Sequence, residues 1–317
     1  MKLQIYSKTM FLLALLLIIL SSCINCFNEE EFDTIITVMN KNSNSGFYSS
    51  MFFVMNHYLY CKKNNKNFEI NDEEWLFKSK DGWTDYFEKI ELTNGNDKNN
   101  SNNVGHGTVM SDYSIQQYRD VIPEFYVYNE NTKREINKIK SQYGLTDKNY
   151  DSIFIRRGDK LISESKKIND DIYIQLLLEK NPKCDTIFLQ TDDYGSFVEL
   201  EKYIKNNGLN IKLYTLCDND NLGVVVFSHL KDQIADKKIT KQKSVDEMNS
   251  DEIYKHTIDM IVGIDILTKS NICVTDYQSN VSRFIKIAHN NPQNVFDVLM
   301  PDQDIDYNKI VCPAHGF

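Results

Sequence analysis

The sequence predicts an α/β fold in which parallel strands are covered by helices on both faces. Two observations predict it. Short apolar, strand-like runs alternate with segments of helical period, the pattern of βαβ units. And 41% of the 317 residues are apolar and 12% aromatic, enough to fill a large core and to exclude a disordered or coiled-coil chain.

Taken in order, residues 34–38 read as a strand, Gly46-Phe47 as a turn and 49–61 as a helix. Phe52, Phe53, Met55 and Leu59 give that helix its apolar surface, and 67–70 read as the next strand. The polar stretch 96–103 (NDKNNSNN) reads as a surface loop. The second half is more regular, with strands at 152–157, 186–190, 211–216 and 272–275. Helices are predicted over 171–180 and over 196–206, the latter ended by Gly208. Ile253, Met260, Ile261, Ile264 and Leu267 mark a helix over 251–267; Val281, Phe284, Ile285 and Ala288 mark a last one. Two units are expected, 27–148 and 149–317, meeting near 144–150.

Residues 1–26 read as targeting rather than fold. Lys2 and Lys8 precede the run MFLLALLLIIL, and Ser21, Ser22 and Cys23 follow it. The run is short for a spanning helix, which wants about 20 apolar residues, so it is either a cleaved signal peptide or a retained signal anchor. Secretory routing follows, through the ER or Golgi lumen, with the membrane touched only by this segment. Seven Cys and six His show no metal-ligand spacing in the body of the chain, so no metal is expected; one or two disulfides are allowed. The net charge of −9 argues against nucleic-acid binding. Asn99-Asn100-Ser101 and Asn280-Val281-Ser282 are glycosylation sequons, the second expected to be unmodified because it falls in a site.

Ligands of open α/β sheets sit at the carboxyl ends of strands. Three such ends are rich in chemistry: Arg156-Arg157-Gly158-Asp159-Lys160 with Glu164, then Thr191-Asp192-Asp193, then Asp276 to Asn280 before a helix. Arginine forks and a helix N-terminus are phosphate-binding devices. Each piece also has an ordinary reading. Arg-Arg can be edge charge, Glu164 a solvated acid, and Asp192, Asp193, Ser279 and Asn280 helix caps. Their occurrence at one edge of one sheet favours a diphosphate site. Asp218-Asn219-Asp220 reads as an Asx-rich turn.

The run IFIRRGDK (153–160) with Glu164 resembles the donor motif of the α1,6-fucosyltransferases. Similarity continues through Gly46-Phe47, Trp75, Gly82-Trp83, Gln190 to Asp193, and IDILTKSNICVTDYQSNVSR (264–283), then on to Ile310 and Ala314-His315. It covers about residues 40–317. The resemblance implies a GT-B fold with two Rossmann-like halves, the donor site in the C-terminal one. It also implies inverting transfer of fucose from GDP-fucose to a glycan or glycoprotein acceptor, α1,6 to N-glycan core GlcNAc, without cofactor or metal. By position, Arg156 would hold the β-phosphate with Arg157 and Asp159 beside it, and Lys160 would flank the diphosphate. Glu164 would be the general base, and Ser279 and Asn280 would bind phosphate. Asp192 and Asp193 would organise the site, which Gly46 and Phe47 border. The family's guanine-binding His is Phe154 here and its acidic partner aligns with Gly263, where Asp265 would substitute. Asn280 replaces a Gln, and the family's stem coiled coil and C-terminal β-barrel have no counterpart. Alternatives are a protein O-fucosyltransferase-like or other nucleotide-sugar transferase, or a non-catalytic glycan-binding protein on the same scaffold.

Overall fold

A computed structural model describes residues 33–41, 45–93, 101–105, 108–159, 167–234 and 239–300. The leader, Lys160, Glu164, Ile310, Cys312 and Ala314-His315 lie outside the described residues, as do Asn99 and Asn100 of the first sequon. Two parallel sheets form the frame. The first has three strands in the order β2-β1-β3: β1 (Thr34–Asn40), β2 (Asn67–Glu74) and β3 (Ser101–Gly105). The second has five, in the order β6-β5-β4-β7-β8: β4 (Asp151–Ile155), β5 (Thr186–Thr191), β6 (Lys212–Thr215), β7 (Cys273–Thr275) and β8 (Val295–Asp297).

Helices connect them: α1 (Phe47–Lys63), α2 (Ile115–Phe125), α3 (Glu130–Tyr143), α4 (Asp170–Lys180), α5 (Tyr194–Asn206), α6 (Ser250–Thr268) and α7 (Asn280–Ala288). This is the α/β, parallel-sheet class that the alternating pattern predicts. Three features differ from the sequence reading. Residues 101–103, read as loop, begin β3: they pair with Thr34, Ile35 and Ile36, and an edge strand tolerates polar side chains because only Val104 is buried. Helices α2 and α3 were not anticipated. Cys61, Cys184, Cys217 and Cys273 are free thiols rather than disulfide partners. Segment 218–221 is a turn as expected, closed by Asn221 N–H donating to the Asp218 carbonyl at 3.0 Å.

Strand alternation explains how the second sheet is buried. Ile153, Ile155, Ile187 and Leu189 face α4 and α5 in one apolar cluster. Phe154 and Phe188, one position out of phase, join the other, larger cluster. That cluster runs without a break into the first sheet. Helix α1 is buried nearly all round, so its sequence lacks a polar stripe. Phe47, at its start, sits in an aromatic nest with Phe77 at 5.3 Å and Trp75 at 5.4 Å; Trp83 packs at a tilt against Phe87 at 4.6 Å. Phe284 of α7 crosses between the sheets to meet Tyr48 at 4.6 Å and Tyr126 at 4.8 Å. Arg119 of α2 donates to the His289 carbonyl just beyond α7, at 3.1 Å.

His289 is wholly buried, its Nδ1 2.7 Å from the Asn291 carbonyl oxygen and its Nε2 3.4 Å from Ser270 Oγ. Burial first, then the nearby Lys286 and Arg119 charges, hold its pKa down to about 4. The unfolded chain therefore binds this proton as pH falls below about 6.5 while the folded chain does not, so the contribution of His289 to stability shrinks between about pH 6.5 and 4. His289→Gln should be less stable than the parent at pH 7, and the gap in urea midpoint should narrow as pH falls toward 4.

Candidate functional site

The strand order places a switch point between β4 and β7: the chain runs outward through β5 and β6, then returns to the other side of β4. A crevice opens at the carboxyl ends of strands at such a point. A cavity of about 870 Å³ lies there, bordered by Phe154, Arg156 and Asp159 from the end of β4 and by Ser279 and Asn280 at the start of α7. Gly46 and Phe47 close it from the first sheet. Two helix N-termini therefore open on the same space. Neither α1 nor α7 carries an acidic residue in its first turn, whereas α4 and α6 each carry two. Their positive dipole ends are left for an anion.

Arg156 is held on two sides. Its Nη1 donates to Asp192 Oδ2 and its Nη2 to Asp159 Oδ1 at 2.7 Å. The same carboxylates grip the segment that follows β6. Asp192 accepts from the backbone N–H of Arg157 at 2.7 Å and of Val224 at 2.9 Å; Asp159 accepts from Val226 N–H at 3.0 Å. A guanidinium has five N–H donors, so two carboxylates orient Arg156 without exhausting it. The crossing is tight enough to need glycine twice. Gly158 has φ +63° and an added Cβ would lie 2.1 Å from the Val224 carbonyl oxygen; Gly223 has φ +108° and its Cβ would lie 2.8 Å from Gly158 Cα.

Several expected site residues stand elsewhere. Arg157, unlike Arg156, is not on the cavity wall. It is 3% exposed and donates to the Ile168 carbonyl at 2.8 Å and to Asp170. One guanidinium faces the cavity, not two. Asp193 caps α5 by accepting from Gly195 N–H at 2.9 Å, the ordinary role of an aspartate at that place. Asp265 is buried near the far end of α6, takes Lys269 Nζ at 2.6 Å, and is not on the cavity wall. It cannot substitute for an acid at 263. Ser279 caps α7 through Ser282 N–H at 3.2 Å and borders the cavity as well, and Asn280 Oδ1 takes Arg283 Nη1 at 3.1 Å. Lys160 and Glu164 follow Asp159 in the chain but lie outside the described residues.

The sequence reading missed the wall that α6 supplies. Lys255, His256 and Asp259 line the cavity, interleaved with the apolar positions by which the helix was recognised. Burial, and then the Arg156 charge, lower the His256 pKa to about 4, so its imidazole is neutral at physiological pH. Burial raises the Asp259 carboxyl, against the pull of its Lys255 ion pair. Gln190 also lines the cavity, its Oε1 buried with no hydrogen-bond partner. Among the described residues no group of three or more His, Cys, Asp or Glu could hold a metal ion. Gly158→Ala should lower stability by at least about 2 kcal/mol, since the residue must keep a left-handed backbone and its methyl group meets a backbone carbonyl; thermal unfolding checks it.

No protein-family model matches the chain, and no curated protein does. Solved structures do. NodZ α-1,6-fucosyltransferase soaked with GDP-fucose is 7% identical with a TM-score of 0.56, over 86% of this chain and 98% of that one. Fucosyltransferase NodZ from Bradyrhizobium is 7% identical with a TM-score of 0.54, over 86% and 97%. A mutant of Arabidopsis thaliana FUT1 in complex with GDP is 7% identical with a TM-score of 0.50, over 86% and 71%. The chain has the fold of these fucosyltransferases, two parallel α/β sheets in the GT-B manner.

Proposed function

We propose that the chain is an inverting glycosyltransferase that moves fucose from GDP-fucose to a glycan hydroxyl, with the α1,6 position of N-glycan core GlcNAc as acceptor. The observation that carries this is the cavity at the β4–β7 switch point, where an oriented arginine and two unneutralised helix N-termini converge. The fold match supports it, since the similar structures include one soaked with GDP-fucose and one holding GDP.

In this reading residues 149–317 form the donor-binding unit and 27–148 the other. Leaving GDP gains negative charge. Arg156 and the α7 terminus, with Ser279 and Asn280, stabilise that charge without a metal, and Lys160 adds an ammonium. Asp159 and Asp192 act by fixing the Arg156 fork. Glu164 takes the proton of the acceptor hydroxyl as its oxygen attacks C1 of the sugar. One displacement inverts the anomeric carbon, and no covalent enzyme intermediate forms. Residues 1–26 would carry the enzyme into the secretory pathway, as a type II membrane protein or, after cleavage, as a soluble one. Among the described residues no helix is long and apolar enough to cross a membrane.

Glu164→Gln should reduce transfer from GDP-fucose roughly 100- to 10,000-fold with an unchanged melting temperature. Arg156→Lys keeps the charge beside Asp159 and Asp192 but loses the fork, so it should weaken GDP binding and transfer together. Transfer at parental rates by either variant would overturn the assignment.

A further inference from the structure

The chain that follows β6 gives the cavity a further wall, which continues into the first turns of α6. Phe227, Leu230 and Gln233 line it, with Met248 and His256 beyond them. Its ends are held in place. Val245 N–H donates to the Val225 carbonyl at 3.0 Å and Asp246 N–H to the Val226 carbonyl at 3.2 Å, while Lys243 pairs with Glu252 of α6 at 2.7 Å. Phe227 is braced by His229, ring centroids 5.7 Å apart. His256 is the polar group on this wall that the protein itself leaves unused. It is half-buried and neutral, and among the described residues neither ring nitrogen has a hydrogen-bond partner. A neutral imidazole offers one N–H and one lone pair, the complement of a hydroxyl, which both donates and accepts.

The wall does not suit a phosphate. Lys243 is paired to Glu252 and Lys255 to Asp259, so Asp218, Asp220 and Asp251 keep their charge unpaired among the described residues. An anion is repelled there, whereas a neutral ligand is not. An aromatic ring beside hydroxyl-binding groups fits a pyranose, which has apolar C–H faces and a polar edge. The wall also adjoins the phosphate end: Val226, one residue before Phe227, is tied by Asp159 to Arg156. We infer that His256, with Phe227, Leu230 and Gln233, forms the acceptor subsite, in which the imidazole binds a hydroxyl of a neutral pyranose and the Phe227 ring covers its C–H face. The inference rests on the reading that Arg156 holds the diphosphate of a nucleotide sugar.

Titrating N,N′-diacetylchitobiose, the core disaccharide of the acceptor proposed above, into the full chain saturated with GDP tests this. The parent should bind it. His256→Phe keeps a ring and loses both nitrogens, so it should weaken disaccharide binding roughly 5- to 10-fold, the worth of one or two neutral hydrogen bonds. GDP affinity and melting temperature should not change. His256→Asn keeps one donor and one acceptor and should bind the disaccharide within about threefold of the parent. Parental disaccharide affinity in His256→Phe overturns the subsite and leaves the donor reading standing. So does a loss of GDP affinity in that variant beyond about threefold, or a GDP-bound parent that takes up no disaccharide. If the parent does not bind GDP, the donor reading falls and this inference falls with it.

Discussion

The Asp192 carboxylate is the interaction on which the site depends. One half-buried group joins three pieces of chain: the Arg156 side chain, the backbone at Arg157 as β4 ends, and the backbone at Val224 after β6. A carboxylate in such a place is tolerated only when its lone pairs are filled by strong donors. Here a guanidinium and two N–H groups fill them. Asp159 repeats the device one step along, on Arg156 and on Val226. The loop is thereby fixed to the strand ends by charge-assisted hydrogen bonds, and the two glycines allow the backbones to come close enough for these to form.

A second property follows from this arrangement. Arg156 with Asp159 and Asp192 is a net negative group, so the cavity does not attract an anion by gross charge. Among the described residues, with Lys255 paired to Asp259 and Lys243 to Glu252, what remains positive is the edge of the guanidinium turned from the carboxylates and the amide ends of α1 and α7. Such partial charges act over a few ångströms and are set by orientation. An acidic protein of net charge −9 can build a phosphate site in this way without a basic surface.

Much of the frame was legible because periodicity reports burial. The central strands β4 and β5 are buried on both faces, so their cores read as the continuous apolar runs 153–155 and 187–189. Strand β3 was missed because an edge strand with one buried side chain carries no such signal. Helices α2 and α3 did carry signals: Ser114 and Gln117 form a capping box, and Asn129 and Gly144, at φ +65°, close the two ends of α3. Arg156, Asp159, Asp192, Ser279 and Asn280 could be placed at one edge because the chain reaches that edge at the end of each parallel strand. Which way each side chain turns was not legible. Arg156 and Arg157 are identical in type and adjacent, yet one lines the cavity and the other is a buried tie to Asp170. His256 and Asp259 escaped notice because the same helix face that packs on the sheet also reaches the cavity.

Helix α7 comes late in the sequence, next to strands of the second sheet, yet its Phe284 inserts among Tyr48, Phe52 and Tyr126. Arg119 of α2 ties down the end of that helix through the carbonyls of Ile287 and His289. A chimera cut near residue 149 would exchange this helix along with the second sheet and leave an aromatic socket in the first part without its plug. Any exchange of parts must therefore carry helix α7 together with the aromatic socket that receives Phe284.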